Sequence, residues 1–470
     1  MRFSLPARWA TLLQNKKEDD MRRILGIFSL LLFTAVCYAQ PKYIFYFIGD
    51  GMGPSHVLAT ELYLGELQSV IGRPQKLLFT QFPESAFVTT FSASNGVTDS
   101  AASGTALSTG SKTSNGRIGT DVNGNNLYSV ALDAKQCGMA VGIATTVCIN
   151  HATPSAFYAH NDSRHNYHEI AQWMLKSDYD FYAGGDAKCS TEQRNDLYER
   201  AEKQGYTIAR GYDDYEAKAK KADKMMLYQK SVAEDIPYTI DRTAEDLTLA
   251  QITKAGIDFL KKKSKRGFFM MIEGGKIDYA SHSDDAATMI QEVLDFNAAI
   301  AEAYEFYKKH KDETLIIVTA DHETGGIVLG YTGQYKLNLK ALSSQKVSVD
   351  KLTAMLKGLS STTWGEIARI VKENVGVEPR GNHSNEEAVE MTSNLASKIA
   401  NEAIYDLDRQ ALLSWASGNH SGTFVPLFAI GEDADKFNGV IDNTDIPLTI
   451  RTLLMDKSNK KGSSTKKSKE

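Results

Sequence analysis

Carboxylates, imidazoles and hydroxyls stand at the ends of apolar runs along this chain, and together they have the donor set of a three-metal site. Asp50 closes the run Tyr-Phe-Ile-Gly-Asp-Gly-Met-Gly, and Thr153 lies in His151-Ala152-Thr153-Pro154. Glu273, Asp278 and His282 fall within Glu-Gly-Gly-Lys-Ile-Asp-Tyr-Ala-Ser-His, Asp321-His322 ends another apolar run, and His420 sits in Ser-Gly-Asn-His-Ser-Gly. Between the first two segments, Asp99-Ser100-Ala101 offers a candidate nucleophile. Such an assortment suits metal-assisted attack on an electrophile rich in negative charge, which points to phosphate chemistry.

Taken singly, each segment has a plainer reading. Residues 100–107 are helix-like, so Asp99 or Ser100 could serve only as an N-cap. A serine at a helix amino terminus is also well placed to become an alkoxide, because free N–H groups and the dipole favour negative charge there. No Gly-x-Ser-x-Gly motif surrounds Ser100 and no histidine base stands beside it, a gap that activation by a cation would fill. Glu273, Asp278 and His282 are spaced by five and four, as at a strand end, a turn and a helix start, although Asp278 and His282 alone would pass for a solvated i, i+4 pair. Asp321-His322, directly after an apolar run, requires partners. His322-Glu323 does not begin a zinc-protease helix, since Gly326 stands where the second histidine belongs.

Residues 43–48, 139–145, 268–272 and 315–319 are β-rich apolar runs without alternation, which suits parallel strands covered on both faces. Helical patterns at 165–176, 243–262 and 284–309 separate them, so the expected fold is an α/β, doubly wound, mostly parallel central sheet flanked by helices. Asp50, 145–153, Glu273 and Asp321 then each follow a strand's carboxyl end, the edge where open α/β sheets bind ligands. Residues 331–415 break the rhythm with helices expected at 348–359, 364–375 and 386–403, and read as an insertion over the active-site edge. Residues 186–241, charged and tyrosine-rich, read as a second insertion.

The chain has 470 residues and a formal charge of -5, without the basic face that nucleic-acid binding needs. Met21-Arg22-Arg23, an apolar run over 24–36 and Cys37-Tyr38-Ala39 form a secretory signal over 21–39, with cleavage expected after Ala39 and Met21 expected as the natural start, leaving 1–20 outside the protein. The apolar run is too short to span a bilayer, so the mature form is expected to have no transmembrane segment and to be periplasmic or extracellular; Val36 argues against lipidation of Cys37. Residues 40–456 are expected to form the catalytic domain, and the Lys/Ser-rich tail 457–470 is expected to be solvated. Cys137, Cys148 and Cys189 remain, an odd count that leaves pairing of Cys137 with Cys148 open.

Together the segments resemble the alkaline phosphatase family. The matching pieces are Ile48-Gly49-Asp50-Gly51-Met52-Gly53, Thr98-Asp99-Ser100-Ala101-Ala102, His151-Ala152-Thr153-Pro154 followed by Arg164, Glu273-Gly274-Gly275-Lys276-Ile277-Asp278 with His282, Thr319-Ala320-Asp321-His322, and His420. The resemblance implies a phosphomonoesterase that works through a phosphoserine on Ser100, with two zinc ions and one magnesium ion. One zinc would be held by Asp278, His282 and His420, the second by Asp50, Asp321 and His322 beside Ser100, and magnesium by Asp50, Thr153 and Glu273 with His151 close by. Arg164 would clamp two phosphate oxygens and Asp99 would orient it. The partners implied are small phosphate monoesters, and a homodimer is the expected assembly.

Two positions depart from familiar family patterns. His151 stands where bacterial members often have aspartate, and Tyr279 where lysine, histidine or tryptophan is usual. Of the alternatives, a sulfatase would need a different nucleophile motif. A diesterase would generally lack Thr153, Glu273 and Arg164, and a phosphate-binding protein with a dead site would lack a ligand or the nucleophile.

Overall fold

The computed structural model describes residues 41–69, 73–331, 333 and 335–464, with side chains as far as Met455. Ten strands form one sheet: β1 (Tyr43–Gly49), β2 (Glu84–Thr89), β3 (Ala140–Cys148), β4 (Phe181–Gly185), β5 (Tyr206–Arg210), β6 (Lys224–Tyr228), β7 (Phe268–Gly274), β8 (Thr314–Ala320), β9 (Val425–Gly431) and β10 (Gly439–Asp442). Their order is β10-β2-β9-β8-β1-β7-β3-β4-β6-β5. Within this sheet only β9 runs against its neighbours, so the sheet is mostly parallel. Every residue of β1, β3, β7 and β8 is buried. Alternate side chains leave a strand on opposite faces, so both faces here are covered, which is why the runs carry no polar alternation.

The 24-residue helix Ala286–Lys309 lies against β1 and β7 through Phe296 and Phe306. Phe296 meets Phe47 edge-on at 5.8 Å between ring centroids, and Phe306 meets Tyr43 in the same way at 4.8 Å. The hydroxyl-capped starts of two other helices explain where the sequence pattern overran. The helix expected over 243–262 begins at Leu249, because the Thr248 hydroxyl accepts from Gln251 N and the Gln251 side chain returns the bond to Thr248 N. Upstream, Asp246 takes the N–H and hydroxyl of Thr243 into a turn instead. The helix expected from 386 likewise starts at Ser393 behind its Thr392 cap, and Ala388–Glu390 pairs with Ser361–Thr363 as a small antiparallel ladder.

The described residues of 331–415 contribute no strand to the ten-stranded sheet, whereas two strands within 186–241, β5 and β6, extend it at one edge. Cys137, Cys148 and Cys189 are all free thiols. The signal expected at 21–39 and residues 1–20 lie outside the described residues, as do the side chains of the tail. Among the described residues no helix is long and apolar enough to cross a membrane.

Register fixes what the strand ends present. Gly49 pairs with Gly274 on one side and Ala320 on the other, and Glu273 lies level with Ile48 and Thr145. Adjacent parallel strands run about 4.8 Å apart, so Asp50 and Asp321 are delivered to one edge at one level, with Glu273 two residues below them on the strand between β1 and β3. Replacing Phe296 by alanine removes the ring that seats the long helix on β1. We expect a loss of about 3–5 kcal/mol, read as a fall of several degrees in melting temperature; an unchanged transition would contradict the packing.

Candidate metal centre

Asp50 follows β1 directly, fully buried, with its N–H bonded to Gly274 O at 3.2 Å. The turn after it needs Gly51, whose φ is +73° and whose hypothetical Cβ would lie 2.9 Å from Asp278 Cα and from Thr324 Oγ1. Gly51 N donates to Asp321 Oδ1 at 3.1 Å, and His322 N donates to the same oxygen at 2.9 Å. Glu273, in β7, accepts at Oε2 from the Thr145 hydroxyl of β3. Asp278 and His282 share one short helix, Lys276–His282, which starts two residues beyond β7.

Ser100 is the first residue of the helix Ser100–Thr109 and is 1% exposed. The preceding Asp99 is both cap and anchor: Oδ1 accepts from Ala102 N at 2.9 Å, and Oδ2 accepts from Gly116 N at 3.0 Å and from Arg164 Nη1 at 3.1 Å. Arg164 Nη2 in turn donates to His151 Nε2 at 3.1 Å. Ser100 Oγ lies 3.2 Å from His322 Nε2.

The hydrogen bonds around the histidines dictate which nitrogens are lone pairs. Thr324 Oγ1 donates to Asp278 Oδ1 at 2.5 Å, so it can only accept from His322 Nδ1, 3.2 Å away. His322 Nε2 is then a lone pair, facing Asp50 Oδ1 at 3.4 Å and Asp321 Oδ2 at 3.3 Å. His282 Nδ1 bonds Gly418 O at 2.8 Å and His420 Nδ1 bonds Thr98 O at 2.9 Å, so each Nδ1 carries the proton. The two Nε2 atoms meet at 3.1 Å, with Asp278 oxygens 3.3 and 3.7 Å away. Apart from Nε2 of a protonated His282, which faces Asp278, the groups that converge here are acceptors, the arrangement a cation satisfies, with backbone carbonyls fixing ligand orientation from behind.

Charge makes the same demand. Asp50, Glu273, Asp278 and Asp321 are buried together. Neither oxygen of Asp50, nor Glu273 Oε1, nor His151 Nδ1 has a hydrogen-bond partner. Burial and then the charge of Asp321 hold Asp50 well above the usual carboxylate range. Burial pushes Glu273 up to about 8, and burial together with the charge of Asp278 pushes Asp321 to about 7. Burial and then His420 keep His322 well below the ordinary histidine value; burial and then Arg164 take His151 down to about 3. Asp278 is the exception: burial opposes its ionisation, but the hydrogen bond from His282 and the neighbouring imidazoles hold it below the usual range, and the same bond lifts His282 to about 9.

Three groups bring one ligand atom per residue within 4.8 Å of one another: Asp278, His322 and His420; Asp50, Asp321 and His322; and Asp50, His151 and Glu273. Asp50, His151, Glu273, Asp278, Asp321, His322 and His420, all singled out in sequence, fall in these groups, and His282 meets Asp278 and His420 beside them. Thr153, expected beside Asp50 and Glu273, lies with its hydroxyl 3.4 Å from Asp321 Oδ2 and within hydrogen-bond reach of Glu273. Tyr279 meets His151 edge-on at 5.9 Å. Sequence reasoning passed over Thr145 and Thr324, whose hydroxyls orient Glu273, Asp278 and His322, and a hydroxyl near a strand end carries no signal of its aim.

A family model described as Alkaline phosphatase matches residues 41–455. Alkaline phosphatase 4 of Bacillus subtilis (strain 168) is 32% identical over 418 residues, 87% of each chain. Among solved structures, a cold-active alkaline phosphatase from Shewanella sp. aligns with a TM-score of 0.77 and 30% identity, over 88% of this chain and 99% of that one. The alkaline phosphatase of the Antarctic bacterium TAB5 gives 0.65 and 28% over the same shares, and mutants of it with one histidine replaced by Glu or Asp have been solved with Mg bound in the M3 site.

The pKa shifts set a pH dependence for the chelated protein. Glu273 and Asp321 titrate near 8 and 7 when folded against 4.5 and 3.8 when unfolded, so across that window the fold holds protons that the unfolded chain has released. His282, raised from 6.5 to about 9, adds stability that is complete below 6.5 and gone above 9. Both contributions decline as pH rises. The melting temperature in chelator should therefore fall between pH 7 and pH 9, above the range where the depressed His151 and His322 contribute with the opposite sign, and added zinc with magnesium should raise it more at pH 9. A chelated protein equally stable at both would contradict the assignment.

Proposed function

This chain belongs to the alkaline phosphatase family, and on that premise we propose how its residues share the work of hydrolysing phosphate monoesters. The family is metal-dependent. Asp278, His282 and His420 would hold one zinc, and Asp50, Asp321 and His322 the other, since both sets mix nitrogen and oxygen donors. Asp50, Thr153 and Glu273 would hold magnesium, which prefers oxygen, with His151 at its border. When bound, the cations supply positive charge beside the serine oxygen and around the phosphoryl group.

Ser100 is the nucleophile in this reading. Its oxygen bonds to phosphorus as the ester P–O bond opens, giving a phosphoserine, and attack by water then releases inorganic phosphate. The helix amino terminus favours the negative oxygen. Arg164, held by Asp99 and His151, presents its planar fork to two phosphate oxygens. Its Asp99 partner is pinned as a helix cap, so the guanidinium is ordered before substrate arrives. The observation that carries the reading is Ser100 Oγ, buried at a helix start, 3.2 Å from the lone pair of a histidine flanked by two carboxylates. We further propose export by the 21–39 signal to the periplasm or exterior, and assembly as a homodimer.

Ser100→Ala should lower kcat for p-nitrophenyl phosphate by about 10³-fold or more, and should abolish the acid-stable phosphoenzyme trapped from labelled substrate. Arg164→Ala should lower kcat/KM by about 10²-fold with the phosphoenzyme still detectable. A Ser100→Ala enzyme with near-normal turnover would sink the mechanism.

A further inference from the structure

His420 reaches the centre on a segment that returns to it after the excursion of residues 331–415. The segment docks through a two-residue antiparallel ladder, His420 opposite Thr324 and Ser421 opposite Glu323. Successive side chains of a strand leave on opposite faces. His420 and Thr324 accordingly both face Asp278, with Nε2 and Oγ1 at 3.7 and 2.5 Å from its Oδ1, and Ser421 and Glu323 turn the other way. So short a ladder defines its register weakly, and a slip of one residue would turn His420 away from the carboxylates.

Glu323 is buried, and each of its oxygens is spoken for. Oε2 accepts the hydroxyl of Ser421, 98 residues away in the chain, and Oε1 accepts Gly326 N at 2.8 Å. Its stem lies so close to Gly53, in the turn after Asp50, that a Cβ there would come within 2.2 Å of Glu323 Cγ. His56 Nδ1 stands 3.9 Å from Oε1, but it accepts from Gly53 N, so the two do not form a salt bridge. Before His420 the returning segment is held by backbone: Gly325 N donates to Asn419 O, and Ala416 N and Ser417 N donate to Gly325 O. Beyond His420 the Ser421 hydroxyl takes over, on Glu323.

We propose that Glu323 is a positioning residue for His420: through Ser421 it clasps the returning segment beside Asp321-His322 and the turn after Asp50, and so fixes the register in which His420 faces Asp278. This rests on the metal-dependent reading above, and it adds a residue that does not itself reach a cation. The clasp works by hydrogen bonding and not by charge. Glutamine at 323 can therefore replace it, because its carbonyl accepts from Gly326 N and its amide donates to Ser421 Oγ, whereas alanine makes neither bond.

The test titrates zinc and magnesium against a competing chelator on the full-length protein, as wild type, Glu323→Ala, Glu323→Gln, Ser421→Ala and His420→Ala. Wild type should take three ions. Glu323→Ala and Ser421→Ala should each weaken one ion about ten- to hundredfold, with the other two and all three of Glu323→Gln within about threefold of wild type. Added to His420→Ala, Glu323→Ala should change nothing further, since it acts through that ligand. Ser421→Ala removes a single oxygen and carries the test should Glu323→Ala not fold. Unaltered affinity in Ser421→Ala, equal weakening of all three ions, or Glu323→Gln as poor as Glu323→Ala would each overturn the clasp, while three ions on wild type left the metal reading intact. A wild type that takes up no ion would overturn that reading and the clasp with it.

Discussion

Four carboxylates buried in one place, with too few protein cations to match them, are the constraint around which this chain is arranged. Asp50, Glu273, Asp278 and Asp321 come from three segments, and their mutual repulsion with burial holds three of them above the range in which carboxylates ordinarily ionise. Such a cluster is costly in a low-dielectric interior unless external charge compensates it. The surrounding structure prevents the cheaper escape of swinging the groups apart. Strands in exact parallel register set the spacing, and a glycine turn with its N–H on Asp321 locks the level of β8 against β1.

Several residues serve structure and chemistry at once. Asp99 caps the helix that carries Ser100 and grips Arg164, so nucleophile and phosphate clamp share one reference point. Thr324 joins Asp278 to His322 and thereby decides which imidazole nitrogen faces the serine. Gly418 and Thr98 do the same for His282 and His420 through their backbone carbonyls. Pre-set tautomers and a pre-set guanidinium mean that little reorganisation is left for substrate binding, which is where phosphoryl-transfer enzymes gain most of their rate.

How far the sequence conveyed this depended on burial. β1, β3, β7 and β8 were legible because strands covered on both faces are uniformly apolar, and the site residues were legible because charge straight after such a run is out of place. The peripheral strands gave no comparable signal: β4 is Phe-Tyr-Ala-Gly-Gly and β10 is largely exposed. Helix starts were overrun where Thr248 and Thr392 cap, since a threonine within a periodic stretch reads the same whether it caps or merely faces solvent. Backbone carbonyls that orient histidines have no side-chain trace at all.

The most direct measurement of the central claim is the divalent metal content of the purified chain, by native mass spectrometry before and after dialysis against chelator, with Asp50→Asn alongside. The account predicts three divalent ions per wild-type chain, lost on chelation and regained from zinc and magnesium, and fewer in Asp50→Asn because Asp50 borders two of the sites. A chain that retains no divalent ion under any loading, yet remains folded at alkaline pH, would show that the carboxylate cluster is compensated in some other way.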